Sequence, residues 1–271
     1  MNDFTEQDTQ NYYNSFGSVY EAVWNEEIHT GYFDTDKSLE QAVRDMDSYL
    51  AKLVNIVPNS TILTVGSGRG GVDRFLVRNF SAKITGLDLS IEQITKAKSQ
   101  AQDQGMQESI TYVQGPMIAL PFSDSSFDIL WVQESLFHCH DKQKAVSEFR
   151  RVLKLGGKLV LEDTVLGFSD AKEEVLATFG KRVRLNELLT RQEIANLFQS
   201  AGFNLQTEVD ISKHLEITYG KIVEHIESSG EKLSQHLPTE YSNLDTIKQG
   251  FKKSQESVAQ GKLGCIVQVY F

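Results

Sequence analysis

Ile62-Leu63-Thr64-Val65-Gly66-Ser67-Gly68-Arg69-Gly70-Gly71 runs from an apolar, β-prone stretch directly into a glycine-rich turn. A second apolar run, Ile84-Thr85-Gly86-Leu87-Asp88, lies downstream and ends in an acid. A strand entering such a turn lets backbone N–H groups come close to a ligand, and an acid at the tip of the next strand can accept hydrogen bonds from both hydroxyls of a ribose. The pair reads as a nucleoside-cofactor site. Gly66, Gly68 and Gly71 also satisfy the G-x-G-x-x-G pattern of dinucleotide-binding proteins, with Asp88 at the ~20-residue offset used there. A tight strand-to-helix connection with no ligand would draw on the same glycines, so the turn alone leaves the cofactor open.

Outward from this stretch the chain alternates. Apolar runs at 61–65, 83–87, 110–113, 127–132 and 158–162 read as strands, and helical patterns lie near 71–79, 91–104 and 142–153. That alternation predicts βαβ units, hence a parallel sheet with helices on both faces. Upstream, residues 9 to 57 read as helices broken at Thr30-Gly31, with Tyr13, Phe16, Tyr20, Val23 and Trp24 at roughly helical spacing, which predicts an amphipathic N-terminal lid. Downstream, Ser169 to about Gly261 is mostly helical and polar. Thr190-Arg191-Gln192-Glu193 has the form of a capping box opening a helix that ends at Ala201-Gly202-Phe203, and Leu205–Ile211 reads as another strand. Gly264 to Phe271 is apolar and β-prone, as expected of a final, antiparallel strand.

Composition sets the outer bounds. With 271 residues and 40% hydrophobic content the chain can bury one α/β core and carry an appended cap. Its 27 basic against 37 acidic residues, a net charge of -10, argue against a cationic footprint for nucleic acid or for an anionic membrane. A small-molecule partner is expected instead. The start, Met1-Asn2-Asp3-Phe4-Thr5-Glu6, lacks the basic and apolar regions of a signal peptide, and no apolar run reaches the ~18 residues of a membrane helix, so a soluble, cytoplasmic protein is expected. Cys139 and Cys265 lack zinc or redox spacing; reduced, packed thiols and no metal are expected.

The segments beyond Asp88 narrow the cofactor. Val113-Gln114-Gly115, Leu120-Pro121-Phe122, Ser126-Phe127-Asp128-Ile129-Leu130-Trp131 and Arg151-Val152-Leu153-Lys154-Leu155-Gly156-Gly157-Lys158-Leu159-Val160 resemble, in order and spacing, the later motifs of class I S-adenosylmethionine (SAM) dependent methyltransferases. Tyr12-Tyr13-Asn14, Val23-Trp24 and Ile28-His29-Thr30-Gly31-Tyr32-Phe33 resemble the lid of the sarcosine and dimethylglycine N-methyltransferases and related small-molecule enzymes. So do Trp131 to His138, Asp210 to Leu215 with Tyr219, and Ile247 to Phe251 with Gly261-Lys262-Leu263. Three positions depart: members usually carry an acid at Thr64, an acidic or hydroxyl residue at Pro116, and a tryptophan near Ser254.

The resemblance implies a Rossmann-like α/β fold, a seven-stranded, mostly parallel sheet with a helical N-terminal lid and an inserted helical cap. It divides the chain into a lid (1–57), a SAM-binding core (58–166) and a cap with C-terminal strands (167–271). For SAM, and the product S-adenosylhomocysteine (SAH), it implies Gly66 and Gly68 at the close backbone approach, Asp88 on the ribose, and Leu89 and Met117 against adenine. Gln133 would meet the amino-acid end through its carbonyl. Arg69 would meet the carboxylate of SAM or else stand exposed. His138 is the candidate general base, since the histidine side chain titrates near neutrality; the alternative is a histidine bridging lid and domain by hydrogen bonds. Asp163, at the end of the fifth strand, would orient His138 or contact an ammonium, or would be a solvated loop acid beside Glu162. Tyr13, Trp24, His29 and Tyr32 are the lid and substrate residues, an aromatic set that packing alone could also select. Arg182 and Arg184 are expected to pair with a substrate carboxylate. The activity implied is methylation of a small amine or amino-acid-like acceptor on nitrogen by a monomer or homodimer. The alternatives are C- or O-methylation of a natural product, and a SAM-binding protein without turnover.

Overall fold

The structure, a computed structural model, describes residues 4–5, 7–12, 14, 27–236 and 243–271. The chain divides into two compact units. One comprises Met1–Met46, Thr164–Arg191 and Asp210–Cys265; the other comprises Asp47–Asp163, Gln192–Val209 and Ile266–Phe271.

The second unit carries the alternation read from the sequence. Strand β1 (Thr61–Val65) leads to helix α2 (Gly71–Phe80), β2 (Lys83–Asp88), α3 (Ile91–Asp103), β3 (Ile110–Gln114), β4 (Phe127–Gln133), α4 (Lys142–Val152) and β5 (Leu153–Leu166). Helix α1 (Leu39–Val54) precedes them. Each helix turns one stripe inward: in α3 Ile94, Ala97 and Ala101 are buried, and in α4 Ala145, Val146, Phe149 and Val152, positions three to four residues apart. Their starts are fixed by side-chain caps, Ser90 Oγ accepting from Gln93 N–H at 3.2 Å and Asp141 Oδ1 accepting from Lys144 N–H at 2.9 Å.

The seven strands form one sheet in the order β3-β2-β1-β4-β5-β7-β6, where β6 is Leu205–Asp210 and β7 is Leu263–Tyr270. Pairs β1–β2, β1–β4, β2–β3 and β4–β5 are parallel. Asn204 and Phe271 exchange both backbone hydrogen bonds, at 2.9 and 3.1 Å, which marks β6 and β7 as antiparallel neighbours. The sheet is thus the mostly parallel, seven-stranded one expected. Every residue of β7 is buried, as an interior strand requires, whereas β6 alternates exposed and half-buried residues at the sheet's edge.

Strand β5 is longer than the 158–162 read from the sequence. Its pairing with β4 jumps from Phe127↔Leu153 to Ile129↔Lys158, so residues 154–157 bulge outward, with Leu155 93% exposed and Gly156 at φ 77°.

In the first unit, helix α6 (Ser212–His236) packs on helix α7 (Leu244–Ala259), with the Tyr219 and Phe251 rings 5.8 Å apart. A broken helical run, Lys172–Val175, a π turn Leu176–Gly180 and Lys181–Val183, precedes α5 (Arg191–Ser200) of the other unit. Cys139 and Cys265 are buried and form no disulfide. No helix among the described residues is long and apolar enough to cross a membrane.

Candidate cofactor-binding site

Strand order reverses between β1 and β4: the chain proceeds outward through β2 and β3 on one side and through β5 on the other. Ligands of such sheets bind in the crevice beyond the carboxyl ends of the strands at that reversal. The Gly66–Gly70 turn leaves β1 there.

The turn is held by the neighbouring strand. Gly66 N–H and Ser67 N–H both donate to Leu87 O, at 2.8 and 2.9 Å, and Gly68 N–H donates to Asp88 Oδ2 at 2.9 Å. Gly66 has φ 74°, and a Cβ there would meet Ser135 Cβ at 2.5 Å, so this position must be glycine for packing as well as for conformation. Gly68, at φ 53°, has no atom within 4 Å of its Cβ direction. The backbone is bare on that side, a cradle open to a ligand.

Asp88 is positioned by backbone alone. Its Oδ1 accepts from Ser90 N–H at 2.8 Å and its Oδ2 from Gly68 N–H, leaving a further lone pair on each oxygen for two hydroxyl donors. Burial raises its carboxyl above the ordinary carboxylate range in spite of the Ser90, Gly68 and Leu89 N–H groups that favour the anion. Half-buried Leu89 comes next in the chain, its carbonyl accepting from Gln114 Nε2 at 3.1 Å. Half-buried Met117 lies in a turn closed by Ala119 N–H to Pro116 O at 3.2 Å.

Arg69 is not the exposed side chain that one reading allowed: it is 6% exposed, and its Nε donates to Gln93 Oε1 at 3.3 Å. Gln133, at the end of β4, is held by Trp131 Nε1–H, which donates to its Oε1 at 2.7 Å, and by Asp47 Oδ1, 3.4 Å from its Nε2. Just beyond it Glu134 takes φ 46° and donates its N–H to Glu162 O at 2.7 Å. Ser135 Oγ donates to Val65 O at 2.8 Å, tying the ends of β1 and β4 together. His138 closes a single 3₁₀ turn, Leu136–His138, and its ring lies 4.0 Å from that of Phe137. Glu162 and Asp163 are fully buried within β5, which continues to Leu166; neither is a solvated loop acid, and Asp163 does not end the strand.

His29 and Tyr32, two of the residues expected of a lid, belong to the other unit. His29 is buried, its Nδ1 3.1 Å from Thr30 O, and burial pushes its imidazole down to about 4. Tyr32 stacks on His214 with ring centroids 4.7 Å apart. The intervening backbone is pinned to α6 by Gly31 N–H donating to Thr218 Oγ1 at 3.0 Å and Phe33 N–H donating to His214 Nδ1 at 2.9 Å. Tyr13 and Trp24 lie outside the described residues. Arg182 lays its guanidinium 4.6 Å from the Phe251 ring centroid, 5.2 Å from Phe179 and 5.7 Å from Tyr219, while Arg184 lies over Phe4 and Tyr12.

Sequence reasoning missed Ser135, Thr218 and His214, whose contacts join segments distant in the chain. It also missed Asp73 in α2, whose Oδ1 accepts from Thr64 Oγ1 at 2.6 Å. An acid in the first turn after the glycines was the available signal.

Residues 63–161 match a family described as a methyltransferase domain. The chain is 30% identical over 240 residues to the glycine/sarcosine/dimethylglycine N-methyltransferase of Actinopolyspora halophila, an alignment covering 86% of this chain and 42% of that protein; the chain thus spans under half of that relative's length. It is 26% identical over 230 residues, 83% of this chain and 84% of the relative, to the 27-O-demethylrifamycin SV methyltransferase of Amycolatopsis mediterranei. Among solved structures, a putative sarcosine dimethylglycine methyltransferase from Galdieria sulphuraria superposes with a TM-score of 0.85 at 24% identity, covering 96% of this chain and 98% of that one. With the strand order, the glycine turn and Asp88 in place, residues 63–161 match the methyltransferase-domain family and the chain has the fold of the class I, SAM-dependent methyltransferases, to which it is similar.

Proposed function

We propose that this protein methylates the nitrogen of a small amine or amino-acid-like acceptor. The observation that carries the reading is the likeness to a glycine/sarcosine/dimethylglycine N-methyltransferase over 86% of the chain, well beyond the cofactor-binding segment. The residues present fit the cofactor. Gly66 and Gly68 would bring backbone against SAM, Asp88 would accept from its ribose hydroxyls, and Leu89 and Met117 would flank adenine. The Gln133 carbonyl and Arg69 would serve its amino-acid end. When bound, SAM supplies a methyl group on a sulfonium, an electrophile that needs no further activation.

The protein's own task is then to deliver an acceptor with a free lone pair, in line and away from water. An amine arrives as an ammonium at neutral pH, so a base must take its proton first. His138 takes that role in our reading, with Asp163 orienting the imidazole or holding the ammonium. His29 and Tyr32, with Tyr13 and Trp24, would be the lid and substrate residues. A small-molecule acceptor also suits the surplus of acidic over basic residues.

A second reading, transfer to oxygen or carbon, is favoured by the likeness to the 27-O-demethylrifamycin SV methyltransferase over 83% of the chain. The two separate in one experiment. The protein is incubated with SAM and with glycine, sarcosine, dimethylglycine and a set of hydroxylated natural products, and SAH and methylated products are monitored by mass spectrometry. SAH formation coupled to an N-methyl product is expected. Product from hydroxyl or carbon acceptors alone would overturn nitrogen transfer and leave the second reading.

A further inference from the structure

Beneath the glycine turn lies a buried polar cluster that the proposed chemistry does not use. Asp73 is fully buried in the first turn of α2, and its Oδ1 accepts from Thr64 Oγ1 of β1 at 2.6 Å. Its Oδ2 lies 3.2 Å from the position a Cβ would take on Gly70 and 2.9 Å from that on Gly86. The Tyr112 hydroxyl of β3 occupies the same place, packed against the Cα of Gly70, which takes φ 71°. Neither Asp73 Oδ2 nor the Tyr112 hydroxyl has a well-formed hydrogen bond among the described residues, although the two groups face each other. Arg74, 4% exposed, lies alongside both, and its Nη1 donates to Arg69 O, in the turn itself, at 2.6 Å.

The cluster therefore runs from β1 through Thr64, Asp73, Tyr112 and Arg74 to the backbone of the turn. A fully buried carboxyl that faces two hydroxyls and makes no ion pair among the described residues favours its neutral form, because burying a charge without a paired counter-charge costs more than burying the neutral acid. An ionised carboxylate would instead draw the Arg74 guanidinium toward itself and away from Arg69 O. We propose that Asp73 is a positioning residue of the cofactor turn, and that its protonation state, acting through Arg74 and Tyr112, sets the affinity for SAM. The proposal rests on the assignment of the Gly66–Gly70 turn to SAM.

The groups that face Asp73 are Thr64 on β1, Tyr112 on β3, Arg74 on its own helix and Asp88 at the end of β2. Burial is the dominant influence and pushes its carboxyl up to about 7, against the Thr64, Tyr112 and Arg74 interactions that favour the anion. The proton is thus exchanged within the ordinary working range. By linkage, a proton that favours SAH binding must itself be bound more tightly in the complex.

The test is calorimetric titration with SAH from pH 5.5 to 8.5, on the wild-type chain and on Asp73→Asn, with circular dichroism to check the fold of each. Asn keeps the acceptor for Thr64 and supplies a fixed N–H donor toward Tyr112. We expect the wild type to bind SAH at least about fivefold more weakly at the alkaline end, the low end of common site-to-site coupling. Asp73→Asn should hold the tight, acid-side affinity throughout. Titration of Asp88, or of the ligand's amino group, would persist in both proteins. Parallel profiles, or profiles flat in both, would therefore overturn the role of Asp73 while leaving the turn assigned to SAM. Should Asp73→Asn misfold, Thr64→Ser and Tyr112→Phe serve the same comparison, with Tyr112→Phe expected to shift the wild-type midpoint and an unshifted midpoint counting against the cluster. Absence of SAH binding at every pH would overturn the cofactor assignment itself.

Discussion

Two glycines two residues apart, Gly66 and Gly68, should respond to the same substitution in opposite ways. In Gly66→Ala the new methyl carbon would sit 2.5 Å from Ser135 Cβ and 3.1 Å from Ser135 Oγ, which donates to Val65 O. Left-handed strain on alanine costs about 1–2 kcal/mol. Overpacking adds about 1–3 kcal/mol and loss of the Ser135 hydrogen bond about 1 kcal/mol. Together these make a destabilisation of about 3–6 kcal/mol. Gly68→Ala meets no atom within 4 Å, so only the strain at φ 53° remains. A stiffer unfolded chain offsets part of it, for a net cost of about 1 kcal/mol. Its methyl, however, would project into the open side that we assign to the cofactor, and SAH affinity should fall by at least about tenfold, or 1.4 kcal/mol. Urea unfolding and SAH calorimetry on both variants give the four numbers. Equal stability losses would refute the packing argument at Ser135, and wild-type affinity in Gly68→Ala would mean that no ligand approaches the turn from its open side.

Other consequences can be checked independently. His138→Ala should lower kcat/KM for the acceptor by about 100-fold while leaving SAH affinity within about threefold, the pattern of a lost general base; parallel losses in affinity and stability would mark a structural histidine instead. The His29 imidazole is held down to about 4, so the folded state favours its neutral form and the unfolded chain binds more protons between that value and 6.5. Its stabilising contribution is present above pH 6.5 and is lost as pH falls toward 4, by up to about 3 kcal/mol. Urea midpoints should drop over that window in the wild type and drop less in His29→Gln. In His214→Ala the half-buried Phe33 N–H loses its acceptor, and the fold should lose about 1 kcal/mol in urea unfolding, the scale of one hydrogen bond. His214→Asn, which can accept in its place, should recover part of that loss.

The core is legible in the sequence because its signals are local. Apolar runs bounded by turns locate β1 to β4 within a residue or so, and glycines in sequence locate the bend at Gly66 and Gly68. Asp88 is legible for the same reason: an acid directly after an apolar strand has few structural reasons to be there. Strand β5 reads short because Leu153 to Gly157 form a bulge against β4 that depends on the partner strand and leaves no periodic trace. Asp163 reads as a strand tip because Glu162-Asp163-Thr164 interrupts the apolar run, although all three are buried inside β5, which continues to Leu166. The Asp73 cluster depends on contacts across three strands and a helix, with Thr64, Gly86 and Tyr112 far apart in the chain. In sequence Thr64 is only a departure from the family's acid. In the fold its hydroxyl donates to the Asp73 carboxyl brought in from α2.

We assign the turn after β1 and Asp88 together to SAM, and calorimetric titration of SAH and of NAD into the wild type and Asp88→Ala addresses both at once. We expect SAH to bind the wild type at one site per chain and NAD to give no heat. Asp88→Ala should weaken SAH by about 2–4 kcal/mol, the scale for removing a charged acceptor from two ribose hydroxyls. Binding of NAD without SAH, or SAH affinity indifferent to Asp88, would contradict the assignment.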